Sequence, residues 1–161
     1  MKKYILLLIT ILATIRITAQ NNENFYFSNL NLKDGLSQIS VIKIFQDTKG
    51  FIWFATRNGL NRYDGSEFVI YKHDPKDSLT LSDNHIWTLA EDNDRNLWVG
   101  TARGLNKIDL KTNRITSFID ERYGAFAKSE VRSLTVDSRN RLWIGTCLLY
   151  TSPSPRDYAA S

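Results

Sequence analysis

The chain has 161 residues, enough for one ordinary domain, and with 42% hydrophobic and 24% charged residues it is neither disordered nor fibrous. Its formal charge of +4 falls to +1 without Lys2, Lys3 and Arg16, which lie in an N-terminal leader. A nearly neutral globular part leaves no electrostatic footprint for DNA or RNA, so no nucleic-acid partner is expected.

In chain order, the leader comes first. Lys2 and Lys3 precede Tyr4 to Ile15, a run of twelve almost wholly apolar residues; Ile17-Thr18-Ala19 then ends in a small residue before polar Gln20-Asn21-Asn22. This predicts a secretory signal peptide over 1–19, cleaved after Ala19, and therefore an exported protein. A buried first strand or helix is the alternative. A membrane span would need about 20 apolar residues, and Arg16 stops the run. Residues 20–35 read as a lead-in, with a strand over Phe25 to Leu32 upstream of the first repeat.

From residue 36 the sequence repeats itself. Trp53, Trp98 and Trp143 are 45 residues apart; so are Asp47, Asp92 and Asp137, and Thr56, Thr101 and Thr146. Gly59-Leu60-Asn61 recurs as Gly104-Leu105-Asn106, and a small residue follows each tryptophan by two positions, as Ala55, Gly100 and Gly145. A period of about 45 fits propeller blades of four short strands. First strands are expected at 41–46, 86–91 and 131–136, second strands at 51–56, 97–101 and 142–146. Third strands follow at 60–63 and 105–109, and fourth strands at 68–71 and 115–119. Asp47, Asp92 and Asp137 open tight turns, and Asn58-Gly59 and Arg103-Gly104 make hairpin turns. The predicted fold is all-β: antiparallel four-stranded blades at about 36–80 and 81–125, and a truncated blade at 126–146. A four-stranded sheet cannot cover both its faces, so blades must stack, with the indoles between sheets and the small residues permitting close approach.

After Thr146 the repeat stops. Residues 147–161 resemble a translated transposon-based sequencing adapter, with a natural Pro/Ser-rich linker as the alternative. The one cysteine, Cys147, falls in this tail, so no redox, metal or nucleophilic role is built on it.

The strings Asp34-Gly35-Leu36-Ser37, Gly50-Phe51-Ile52-Trp53-Phe54-Ala55-Thr56, Gly59-Leu60-Asn61-Arg62-Tyr63-Asp64-Gly65 and Leu97-Trp98-Val99-Gly100-Thr101 resemble two-component regulator propeller repeats. The resemblance covers roughly residues 25 to 146. It implies the periplasmic sensor region of a Bacteroidetes hybrid two-component histidine kinase. It also implies a much longer protein, with further blades, an immunoglobulin-like connector, a membrane helix and a kinase downstream. This chain then reads as an N-terminal piece that meets the membrane only through that downstream span and has the missing blades as partners.

Other chemistry is scarce. Asp92-x-Asp94-x-Asn96 begins like a calcium loop, but Leu97 and Arg103 stand where glycine and glutamate are required. His73 and His85 lack a second ligand at a useful spacing, and no phosphate loop or nucleophile motif occurs, so neither metal nor cofactor is expected. The candidate ligand-binding residues are those of the loops entering the first strands and of the hairpins joining second to third strands: Arg57, Asn58, Asn84, His85 and Arg103. Their guanidinium, amide and imidazole groups suit sugar hydroxyls or an acidic sugar's carboxylate. The resemblance makes an oligosaccharide or other small ligand the expected partner. A propeller lyase, a glycan hydrolase or a secreted binding protein is the alternative, although no paired acid and base carboxylates can be nominated.

Overall fold

A computed structural model of the chain describes residues 27–123 and 127–147. The signal peptide, the start of the lead-in and residues 148–161 lie outside the described residues. Among the described residues ten strands occur: β1 (Val41–Gln46), β2 (Ile52–Thr56), β3 (Gly59–Tyr63), β4 (Phe68–Tyr71), β5 (Ile86–Glu91), β6 (Asn96–Thr101), β7 (Gly104–Asp109), β8 (Ile115–Phe118), β9 (Val131–Val136) and β10 (Leu142–Thr146). Their order is β1-β2-β3-β4 in one sheet, β5-β6-β7-β8 in a second, and β9 with β10 in a third, every pair antiparallel. These are two four-stranded propeller blades and half of another. Strand-sized apolar runs bounded by Asp, Asn and Gly turns put the strand ends within about one residue of their expected places.

The end of the lead-in differs from expectation. Phe25 lies outside the described residues, and residues 27–31 join no ladder. Leu32 belongs to a 3-10 turn over Leu32–Asp34 instead of a strand. The reason is local. Asn31 accepts the Lys33 N–H at 2.8 Å and donates its own N–H to the Asp34 carboxylate at 2.8 Å, a reciprocal cap. Gly35, at φ 104°, then reverses the chain. The third blade's backbone pattern also runs one residue further than expected. The N–H of Cys147 donates to the Glu130 carbonyl at 3.3 Å, as Ala102 does to His85 at 3.0 Å in the second blade.

The core lies between the first two sheets. Trp53, Ala55 and Leu60 of the first pack with Leu81, Ile86, Leu89, Leu97, Val99, Ile108, Leu110 and Ile115 of the second and its approach. An indole of about 200 Å² buried there contributes about 5 kcal/mol of transfer free energy. Trp53 is 0% exposed, Trp98 half-buried and Trp143 55% exposed. The gradient follows from what comes next. Trp53 meets a full four-stranded sheet and Trp98 a two-stranded one, while no further sheet follows Trp143 among the described residues. Gly100 sets the second spacing: a Cβ there would stand 2.7 Å from the Val131 carbonyl oxygen and 2.6 Å from Thr88 Cγ2.

Candidate functional site

Each blade has two ends of different chemistry. At one, the turn between first and second strands is closed by its aspartate. Asp47 Oδ1 accepts the N–H groups of Lys49 (2.9 Å) and Phe51 (3.0 Å), while Oδ2 accepts the Trp53 indole N–H at 2.8 Å. Asp92 takes Trp98 in the same way at 2.8 Å and Asp137 takes Trp143 at 3.0 Å. Burial pushes the Asp92 carboxyl up, but the bonds from Asn96, Trp98 and Asp94 together outweigh it and hold it below the ordinary carboxylate range. These carboxylates are saturated by the fold, which leaves little for a ligand at this end.

The opposite end is where the chain enters the first strands and where β2–β3 and β6–β7 turn. Buried side chains tie the two sets of loops together. The N–H of Ser37 donates to Asn61 Oδ1 and Asn61 Nδ2 returns a bond to Ser37 Oγ, both at 2.8 Å. Ser82 and Asn106 repeat this pair at 2.9 and 2.8 Å. Thr56 and Thr101 donate to the carbonyls of Gly59 (2.8 Å) and Gly104 (2.9 Å), tightening each hairpin. Between blades, the Gly59 N–H donates to the Asn84 carbonyl at 2.8 Å and the Gly104 N–H to that of Ser129 at 2.9 Å. The loops and hairpins named from the sequence therefore share one end of the array.

The individual residues are not equivalent. Arg57 is exposed, with its backbone N–H held by Gln38 at 2.9 Å. Asn58 is exposed but donates its amide to the Ser37 carbonyl at 3.0 Å. Asn84 is committed to the fold: its side-chain oxygen accepts the His73 N–H at 2.8 Å. Arg103 is exposed on the next hairpin, and its backbone N–H donates to Thr101 Oγ1 at 3.1 Å. His85 is half-buried, and its backbone N–H is held by Asp83 at 2.7 Å. Burial pushes its imidazole pKa down, the Arg57 charge pushes it further and Asp83 opposes, so Arg57 and His85 act on each other.

Two residues of this end escaped the sequence reading, Trp87 and Arg132. The ladders skip one residue at the same repeat position in all three first strands: Ile42 between Val41 and Lys43, Trp87 between Ile86 and Thr88, Arg132 between Val131 and Ser133. A bulge there re-aims a side chain that strict alternation would have placed otherwise. The available signal was Trp87 itself, the one tryptophan outside the 45-residue register.

The two component regulator propeller family matches at residues 35–58, 80–103 and 125–147. A curated relative, Histidine kinase P4 of Formosa agariphila, is 50% identical over 68 residues, which are 42% of this chain and 5% of that protein. The extracellular domain of a hybrid two component system from B. thetaiotaomicron superposes with a TM-score of 0.64 at 30% identity, covering 73% of this chain and 17% of that one. A second such domain from the same organism gives 0.54 at 28% identity, covering 71% and 17%. The chain thus spans only a small part of each relative.

Proposed function

From the premise that this chain is a propeller segment of the two-component regulator propeller family, we propose that it belongs to the periplasmic ligand-sensing region of a hybrid sensor histidine kinase that responds to an oligosaccharide. The observation that carries this reading is the convergence of entry loops and hairpins on one end of the blades. Arg57, His85 and Arg103 stand there as hydrogen-bond donors on a backbone held by buried bonds. Most glycan hydrolases use a pair of free carboxyl groups flanking the bond they cut. Here Asp83 holds the His85 N–H and Glu130 holds the Arg132 guanidinium, so binding fits the mouth better than hydrolysis. The signal peptide expected over 1–19 and the extracellular domains among the similar structures agree with a site on the periplasmic side of the inner membrane.

The test uses the ectodomain expressed from the complete gene and calorimetric titration with oligosaccharides. Arg57→Ala, His85→Ala and Arg103→Ala should each weaken binding by about 1 kcal/mol or more if they make charge-assisted bonds. Unchanged affinity in all three folded variants would overturn the site.

A further inference from the structure

The repeated bulge brings together residues that belong to successive blades. Trp87 and Arg132 both occupy it, and the Arg132 guanidinium carbon lies 3.6 Å from the centroid of the Trp87 ring. The His85 ring stacks on the same indole at 3.9 Å. A guanidinium over an indole is an attractive arrangement, and the stack pins three side chains at the mouth. It leaves Trp87 Nε1 and His85 Nε2 buried with no hydrogen-bond partner among the described residues. Indole N–H is a donor only, and Nε2 is a donor in one neutral tautomer and in the protonated ring. A buried polar group left unpaired costs about 1–3 kcal/mol, so such groups call for an explanation.

Two carboxylates stand nearby, each with one oxygen committed to the fold. Asp83 accepts the His85 backbone N–H at 2.7 Å, and Glu130 accepts Arg132 Nε at 2.7 Å. Donors outnumber the oxygens these carboxylates have left: the indole N–H, the imidazole, the Arg57 guanidinium and the remaining N–H groups of Arg132. A sugar hydroxyl accepts bonds but also brings an O–H donor that needs an acceptor of its own. A surplus of donors, two of them cationic, matches a group that only accepts and carries negative charge.

We propose that the His85–Trp87–Arg132 stack, with Arg57, is an anion subsite that takes the carboxylate or sulfate ester of an acidic oligosaccharide. This rests on the glycan-sensing reading and narrows its ligand class. The side chain of Arg132 is 48% exposed, and its Glu130 partner is itself open to solvent. An incoming anion takes the guanidinium over from Glu130 and draws the edge of the stack, with its two unpaired nitrogens, toward the ligand.

The experiment presents the ectodomain from the complete gene to a panel of neutral, uronate-bearing and sulfated oligosaccharides, followed by titration of those that bind. Acidic members should bind. Trp87→Phe, which keeps a ring and removes the N–H, and Arg132→Gln should each weaken them about tenfold or more, the loss expected for one bond to a charged group. Thermal melts identify any variant that fails to fold, and the other then decides. Preference for uronates assigns the carboxylate and preference for sulfated members the sulfate ester; either supports the subsite. Binding confined to neutral members, or acidic binding unchanged in the folded variants, overturns the subsite and leaves glycan sensing intact. No binding by any member overturns both.

Discussion

The smallest repeating unit of this molecule is an aspartate and the tryptophan six residues after it. The spacing marked Asp47, Asp92 and Asp137 as turn residues, and they are. Their second oxygen takes an indole N–H, and that was not legible, because the two groups meet only once the hairpin has folded. Asp92→Ala should therefore cost about 1–3 kcal/mol, since it orphans both the Trp98 indole and the turn amides. Urea unfolding of the ectodomain checks this, and Asp92→Asn should recover part of the loss. The same bonds make stability depend on acid. The Asp137 carboxyl is held at about 2 by the Arg141 N–H first and then by the Trp143 indole. A depressed carboxyl stabilises the fold above its unfolded value of 3.8, and that contribution fades as pH falls toward 2. The gap in urea midpoint between the parent and Asp137→Asn should close over this window. A gap that is constant with pH would show that charge is irrelevant at this turn.

At the scale of strands, period and turn chemistry were readable because each strand is a short apolar run between turn residues, and the repeat confirms each boundary against another copy. The end of the lead-in at Leu32 was the exception, because its apolar residues suggested a strand while Asn31, Asp34 and Gly35 wrote a capped 3-10 turn. Arg57, Asn58, Asn84, His85 and Arg103 lie at one end of the blades, since loops at equal repeat positions must share an end. That Asn84 serves the His73 backbone depended on how two loop segments meet in the folded chain, and that Trp87 and Arg132 stack depended on a bulge that breaks the two-residue alternation. The small residue after each tryptophan has a sharper meaning in the structure than in the sequence. Ala55 fits the first interface, whereas a Cβ on Gly100 would meet the Val131 carbonyl oxygen at 2.7 Å, and a backbone atom yields little. Gly100→Ala should lower stability by about 1–3 kcal/mol through overpacking. A denaturant midpoint equal to the parent's would mean that the second interface is looser than described.

Across the whole molecule, stability resides in the faces between blades, because each sheet buries little on its own. Trp143 is 55% exposed at one end of the array and Ile44 is 59% exposed on the outer face of the first blade. Residues 27–147 in isolation should therefore melt without a cooperative transition and tend to associate, whereas the ectodomain of the complete gene should melt cooperatively. A sharp, reversible transition from a monomeric preparation of the short segment would contradict this. The central claim, that ligand meets the mouth where the first strands begin, is tested most directly by amide hydrogen exchange of that ectodomain with and without a bound oligosaccharide. Added protection is expected at residues 37–40, 83–87 and 129–132, and none at the turns of Asp47, Asp92 and Asp137. Protection confined to those aspartate turns, with the mouth unchanged, would contradict it.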